Sequence, residues 1–530
     1  MTGDREDATS LASVVHAATD VASTRSRSAK TSRLAELLAT LAPDEVVPTT
    51  GLLLGRPAQG RLGIGWRTAL AAKDDPASSS SLTVLDVDRA FTVLAEAHGP
   101  GSTTLRAATL AELMHRATAD EQDYLVRVLT GEMRTGALQG IVTDAAATAS
   151  AVPLATVRRA AMLSGDLGTT IRAALTGEDL TGVGLRPGVP VSPMLASTAA
   201  TPADAVAAVG AASVETKLDG ARIQVHRVNG RVAVYTRSLA DITDRVPEIV
   251  DAVAEFSHGN LVLDGETLAL DESGAARPFQ ETMSRFGSDA AEARGTALTA
   301  WFFDVLCADG ASLIDEPLRV RRRLLAEIVG DRMIRGIEVA GPDEAARATQ
   351  FFDDAVAAGN EGVVVKGLES DYAAGRRGSH WIKVKPVYTY DLVVLAVERG
   401  SGRRTGQWSN LHLGARDPEG EFGEPGGFVM VGKTFKGLTD EILAWQTRYF
   451  PTIALDDGTD AEDGAPAHHV LWVRPETVVE VAIDGVQRSS RYPGGVALRF
   501  ARVRRYRTDV VAKAASDADT IGALRGLLRE

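Results

Sequence analysis

A chain of 530 residues exceeds what one hydrophobic core supports, so roughly two to four domains are expected. With 45% hydrophobic and 24% charged residues it has the balance of soluble globular protein, and its single cysteine, Cys307, excludes an intrachain disulfide framework and a four-cysteine zinc site. The net charge of −13 excludes a uniformly basic surface, although net charge sets only the far field and leaves room for local basic patches.

The opening MTGDREDATS carries acids and lacks an apolar h-region, so it does not read as a secretion signal. No apolar run reaches the roughly 20 residues that span a bilayer. The expected compartment is the reduced cytoplasm. Residues 1–14 read as a flexible tail and 15–185 as a helical domain. RLAELLATLAP, from Arg33, places apolar residues at helical spacing and ends on a proline. The polar break Lys73–Ser81 reads as a loop, and alanine-rich helical patterns resume in VDRAFTVLAEAH and TDAAATASAVPLATVRRAAMLS.

The texture changes at GLRPGVPVSPML, a Gly/Pro-rich entry to the next domain, 186–387. RIQVHRV and RVAVYTR flank Asn229-Gly230 and predict a hairpin. LVLDGETLAL, TAWFFDVLCA and GVVVKGL are further strands, with helical patterns in DRVPEIVDAVAEF and LRVRRRLLAEIVG; this is an α+β domain. From 388 to 530 short strands such as DLVVLAVERG, NLHLGARD, GFVMVGKTF and GVALRFARVRRYR suggest a small β-barrel. Between Arg488 and Arg507 lie Arg491, Arg499, Arg502, Arg504 and Arg505 with no acid, a concentrated basic segment in an acidic chain.

The strongest chemical signal is KLDGAR, Lys217 to Arg222. A lysine at a strand end, followed by Asp and Gly in a turn and then Arg, gathers an amine, a carboxylate and a guanidinium around one point. Taken alone, Lys217 would be a surface lysine before a turn. Other elements follow in order: Asp264-Gly265-Glu266, Phe303-Asp304, EGVVVK and WIKVKP. In EGVVVK, strand alternation puts Glu361, Val363 and Val365 on one face and Lys366 on the other. In WIKVKP, Lys383 and Lys385 point the same way and repel unless an anion, such as a triphosphate, lies beside them. A lysine amine is mostly protonated near neutral pH, and attack on phosphorus needs the neutral form. Cations crowded around it favour that form. Glu266 and Glu361 offer hard oxygens suited to Mg²⁺. Phe303 offers a flat face for a base. Glu215, on the same strand face as Lys217, can accept from an adenine amino group.

Taken together, ETKLDGAR, YTRS, LDGE, FFD, EGVVVK and WIKVKP resemble the covalent nucleotidyltransferase motifs of ATP-dependent DNA ligases. GFVMVGKTF and ALRFARVRRYR resemble their C-terminal OB domain, and GEMRTGALQG, Gly131 to Gly140, resembles part of their helical DNA-binding domain. The resemblance covers nearly the whole chain, in the manner of bacterial three-domain ligases. It implies an all-α N-terminal DNA-binding domain, an α+β adenylyltransferase domain of ATP-grasp-like nucleotidyltransferase type, and a C-terminal OB-fold barrel. It implies a monomer closing around nicked duplex DNA, with ATP as co-substrate and Mg²⁺.

Carried over position by position, the resemblance makes Lys217 the adenylylated nucleophile. Glu215 reads adenine and Phe303 stacks on it. Arg222 and Arg237 hold the nucleotide and the DNA 5′-phosphate. Glu266 contacts ribose or metal, and Glu361 the metal. Arg377, Lys383 and Lys385 bind phosphates, with Arg376 a rival to Arg377. The family's last motif commonly reads Arg-x-Asp-Lys, whereas here Arg507-Thr508-Asp509 is followed by Val510. That departure bears on the speed of self-adenylylation, with Lys513 a candidate substitute. Phe303 and Trp381 also suit a plain core role, and His226, His468 and His469 lack metal-ligand spacing. GSGRRTG, Gly400 to Gly406, lacks the ending of a phosphate loop and reads as a basic hairpin near DNA backbone. The acidic run from Asp456 reads as a solvated insertion. Capping guanylyltransferases and RNA ligases share the lysine chemistry, but the helical first third and Glu215 favour a DNA ligase. An NAD-dependent ligase is disfavoured by the single cysteine. A non-catalytic DNA-end scaffold is disfavoured by the joint presence of Lys217, Glu266, Glu361, Lys383 and Lys385.

Overall fold

The computed structural model describes residues 8–60, 62–133, 139–271, 276–277, 281–283, 285, 297–373, 377–400, 404–455, 470–508 and 512–528, with backbone only at 377–379. The chain forms two compact units. The first comprises Met1–Phe352 and Val363–Lys383, the second Asp353–Gly362 and Val384–Glu530.

The first unit begins with helices, from Leu11–Ser23 and Arg27–Ala39 through to Leu154–Ser164 and Leu167–Leu175. Their starts are set locally. The hydroxyls of Ser10 and Ser26 accept from backbone N–H groups three residues on, and Thr83–Asp86 and Thr118–Glu121 form capping boxes. Leu11 and Val14 are fully buried in the helical core. The expected tail over residues 1–14 is therefore shorter than read, because the Ser10 cap starts the first helix at Leu11.

Two sheets follow in the same unit. One contains β3 (Ala221–Val228), β4 (Arg231–Thr236), β5 (Leu261–Ala269), β6 (Leu298–Ala308) and β7 (Ala311–Ser312), in the order β4-β3-β5-β6-β7. Asn229 and Gly230, at φ 49° and 77°, make the tight β3–β4 turn that the sequence predicts. The other contains β1 (Leu195–Thr198), β2 (Ala212–Lys217), β8 (Gly336–Val339), β9 (Gly362–Gly367) and β10 (Arg377–Val384), in the order β1-β10-β9-β2-β8. The chain thus crosses from one sheet to the other between Lys217 and Ala221.

The segment leading into these sheets is tied down by His226. Its Nδ1 accepts from Gly188 N–H at 2.9 Å, so its Nε2 is the atom that donates to Gln224 Oε1, 2.9 Å away. Gln224 in turn exchanges bonds with both backbone groups of Val191. Burial lowers the His226 imidazole from 6.5 to about 4.

The second unit is β-rich, as expected. Strands β11 (Tyr388–Arg399), β12 (Trp408–Asp417), β13 (Gly427–Thr434), β15 (Val478–Ile483) and β18 (Arg502–Tyr506) pair in the order β13-β12-β11-β15-β18. A short β14 (Val470–Trp472) pairs with β11, and β16 (Gly485–Arg488) with β17 (Val496–Arg499). A closed barrel is not seen among the described residues. Bulges at Val394/Ala396 and Leu413/Gly414 curl the sheet. Among the described residues its edges approach through Thr434 Oγ1 to Ala501 O and Val503 N to Lys436 O, short of a ladder. Among the described residues no helix is long and apolar enough to cross a membrane.

Candidate active site

Lys217 ends β2 at the crossover between the sheets and is half-buried, with Nζ 3.5 Å from Leu218 O. Gly220 closes the turn beneath it. A Cβ there would collide with Thr267 O and lie 3.0 Å from Glu266 Cγ, so only glycine lets the turn approach β5 this closely. Glu266 is half-buried on β5, opposite Arg222 of β3 in the ladder. Arg237 is exposed, immediately after β4.

Two residues before Lys217 the strand turns a carboxylate into the interior. Glu215 is 1% exposed. Its Oε1 accepts from Arg322 Nη1 and from Ser213 Oγ at 2.9 Å, and its Oε2 lies 2.5 Å from Lys366 Nζ. Lys366 is buried and also donates to Phe303 O at 3.3 Å. Its ammonium stands 4.4 Å from the centre of the Phe303 ring and 4.2 Å from that of Trp381. The two rings meet edge to face at 5.9 Å. Burial pulls the Lys366 amine below the usual lysine range against the opposing pull of Glu215. Trp381 Nε1 is buried without a hydrogen-bond partner.

Arg222 does not stand open to solvent. Its Nε and Nη2 grip Asp264 at 3.0 and 2.6 Å, and its Nη1 donates to Met194 O at 2.6 Å. The Tyr372 hydroxyl donates to the same Asp264 carboxylate at 2.7 Å, and burial pushes that phenol well above its usual range. A second bidentate pair, Arg321 with Asp304 at 2.8 and 3.0 Å, is fully buried directly after Phe303.

Glu361 and Lys385 fall in the second compact unit, 3.0 Å apart, where Arg499 Nη2 also reaches Glu361 at 3.3 Å. Lys383 is half-buried on β10 opposite Thr198. Arg377 opens β10, but its side chain lies outside the described residues, as do Arg376, Val510 and residues 134–138 of the N-terminal motif. Residues 401–403 of the basic hairpin, the acidic run from Asp456, and His468 and His469 lie outside them too. Lys513 and Arg507 both bind Asp391, at 2.9 and 2.7 Å.

Among the described residues no three His, Cys, Asp or Glu side chains form a metal-binding cluster. Mg²⁺ requires less, because one or two carboxylates suffice when phosphate oxygens and water complete its shell. Glu266, whose Cγ lies beside the Gly220 turn, has the hard oxygens for that role; Glu361 has them too and is paired with Lys385 and Arg499.

The structure therefore brings Glu215, Phe303 and Arg222 of the sequence-predicted set into one unit with Lys217 and Glu266. It adds Lys366, Arg322, Asp264 and Tyr372, which sequence reasoning did not assign. Lys366 carried a signal, since alternation turns it away from the buried Val363 and Val365. Its burial among aromatics did not follow from that.

Comparison with known proteins shows the family. Residues 193–385 match the family described as ATP dependent DNA ligase domain, 404–510 the ATP dependent DNA ligase C terminal region, and 67–147 the DNA ligase N terminus. A "Probable DNA ligase" of Pseudarthrobacter chlorophenolicus is 56% identical, covering 96% of this chain and 97% of its own. One of Rhodococcus opacus is 51% identical over 97% and 99%. The solved structure "Pmar-Lig_PreS3" shares the fold at a TM-score of 0.62 and 18% identity, covering 93% of this chain and 99% of that one. With family matches in its N-terminal, middle and C-terminal regions and relatives this similar along nearly its whole length, the chain belongs to the ATP-dependent DNA ligases.

Proposed function

We propose that this ligase seals nicks in duplex DNA through a covalent lysyl-AMP on Lys217. The Lys217 amine attacks the α-phosphorus of ATP, forming a P–N bond as the bond to pyrophosphate breaks. A DNA 5′-phosphate oxygen then takes the AMP from Lys217. The DNA 3′-OH attacks the activated 5′-phosphorus, and AMP departs. The supporting observation is the position of Lys217 at the sheet crossover, two residues along β2 from the Glu215–Lys366 pair packed on Phe303. Adenine presents its 6-amino donor beside a ring-nitrogen acceptor. A carboxylate next to an ammonium presents the complementary acceptor and donor. Guanine and hypoxanthine present the inverse order.

In this reading Arg222 stiffens the floor of the nucleotide pocket, while Arg237, exposed after β4, meets the 5′-phosphate. Arg377, Lys383 and Lys385 contact phosphates. Mg²⁺, where Glu266 and the ATP phosphates hold it, would supply charge neutralisation, and Glu361 is the other carboxylate proposed for metal binding. The helical region 15–185 and an OB-type β domain 388–530 flank the catalytic region 186–387 and hold the duplex by its phosphates, which suits sealing without regard to sequence. The enzyme acts as a cytoplasmic monomer in replication, repair or recombination.

The test is incubation with α-labelled ATP and Mg²⁺, beside Lys217→Ala, followed by singly nicked duplex. Label on the wild type alone, discharged as the nick closes, is expected. Label on Lys217→Ala, or label that only RNA ends discharge, refutes the reading.

A further inference from the structure

The helix Leu318–Val329 carries three consecutive arginines, a composition that suits a solvated surface. Two of them are buried instead: Arg321 is 0% and Arg322 8% exposed. Adjacent helix positions diverge by about 100°, so neighbouring side chains reach different sides. Here they reach different sheets. Arg321 grips Asp304 of β6, whose neighbour Phe303 is the expected stacking platform. Arg322 binds Glu215 of β2. One helix thus fixes both the platform and the carboxylate expected to read the base edge.

We infer that Arg322 is a positioning residue for base recognition, holding the Glu215 carboxylate in the one orientation that accepts from an adenine amino group. This rests on the reading of Glu215 as the base-reading group. The geometry gives the mechanism. The Glu215 Oε1 is occupied by Arg322 and Ser213, and Lys366 approaches only Oε2. The terminal torsion of a glutamate is broad and roughly two-fold. Two cations of different shape on its two oxygens remove that freedom. With Arg322 gone, the carboxylate keeps Lys366 on Oε2 and only the rotatable Ser213 hydroxyl on Oε1, so it swings about Lys366 and its acceptor no longer meets the amino group at a fixed angle. A site built to bond a specific polar edge discriminates strongly because mismatched groups stay buried and unpaired. Arg322 supplies the rigidity this discrimination needs, without touching nucleotide.

The experiment compares self-adenylylation with ATP and with ITP, whose ring edge inverts the donor–acceptor order, in wild type, Arg322→Met, Arg322→Lys, Glu215→Gln and the Arg322→Met/Glu215→Gln double variant. Thermal melting verifies folding of each. Wild type is expected to prefer ATP by about 100-fold or more in kcat/KM. Arg322→Met is expected to reduce that preference about tenfold, chiefly by raising KM for ATP. Arg322→Lys, which keeps the charge but loses the planar guanidinium and its fixed donor direction, falls between. In the Glu215→Gln background, adding Arg322→Met changes the ratio no further, because the arginine acts through the carboxylate. Should Arg322→Met slow both nucleotides equally with the ratio intact, the residue is structural and the inference falls. Should Arg322→Met not fold, an Arg322→Lys ratio equal to wild type overturns it in the same way. If Glu215→Gln leaves the ratio unchanged, the base-reading role of Glu215 falls first and this inference with it. A shift for Glu215→Gln alone leaves that role standing and removes only Arg322.

Discussion

Lys366 Nζ lies 2.5 Å from Glu215 Oε2, with both side chains 2% exposed. Removing Lys366 leaves the buried Glu215 carboxylate with Arg322 as its remaining cation, at a cost of about 3 kcal/mol. Lys366→Met is therefore expected to lower stability by about 3 kcal/mol and to abolish labelling by ATP. The Lys366→Met/Glu215→Gln double variant, which also takes the carboxylate from buried Arg322, is expected to be no more stable than Lys366→Met and to show no labelling. Urea midpoints and label incorporation check both halves.

Gly220 is a steric requirement. Gly220→Ala drives a methyl group into Thr267 O and against Glu266 Cγ, so the turn must lift away from β5. We expect a loss of about 1–3 kcal/mol in stability. Self-adenylylation is expected to fall by about two orders of magnitude, since a displacement of the nucleophile near 1 Å is that costly. Single-turnover labelling at saturating ATP reads this directly.

His226 sets an acid limit on stability. Its folded-state value near 4 lies below the unfolded 6.5, so the unfolded chain binds a proton across that window and the native chain does not. Stability therefore falls as pH drops from about 6.5 toward 4, by up to roughly 3 kcal/mol from this group. His226→Gln, which does not titrate, is expected to be less stable at pH 7 but to lack that component of the slope. Urea midpoints at pH 7 and pH 5 for the two proteins decide it.

Lys513 stands three places beyond Val510, and its amine is held by Asp391 together with Arg507. Hydrogen bonds from both cations keep that carboxylate below its usual range despite burial. If Lys513 serves the departing pyrophosphate, Lys513→Ala slows labelling by ATP about tenfold or less. Sealing of pre-adenylylated nicks, which releases no pyrophosphate, then changes far less. Equal losses in the two assays contradict that role.

Much of the site was legible because its signals are local. Lys217 at a strand end and the Asn229-Gly230 hairpin follow from short-range pattern alone, whereas Asp264-Gly265-Glu266, whose short-range pattern suits a strand end, sits inside β5. Lys366 was not legible as a buried group, because alternation tells which residues share a face but not whether both faces are covered. Here both are, since Val365 and Lys366 are each at most 2% exposed. Arg321 and Arg322 were hidden in what composition presents as a basic helix surface. The bond of Arg222 to Asp264 joins strands 42 residues apart in sequence, a pairing that only the ladder reveals. The β-rich character of the last domain followed from strand spacing, but closure of a barrel did not, because spacing carries no information on whether the edges pair.

Cys307 is buried in β6 against Met162 and Leu306, and burial pushes its thiol up, away from the reactive thiolate. As the sole cysteine, it leaves the folded protein without a competing reactive sulfur. A cysteine introduced at an exposed position such as Trp66 can then carry a maleimide dye in an otherwise native background. Pairing it with a second introduced cysteine beyond Val384 turns the enzyme into a ruler for following the separation of its two units through each turnover, with no native residue sacrificed to make the labelling selective.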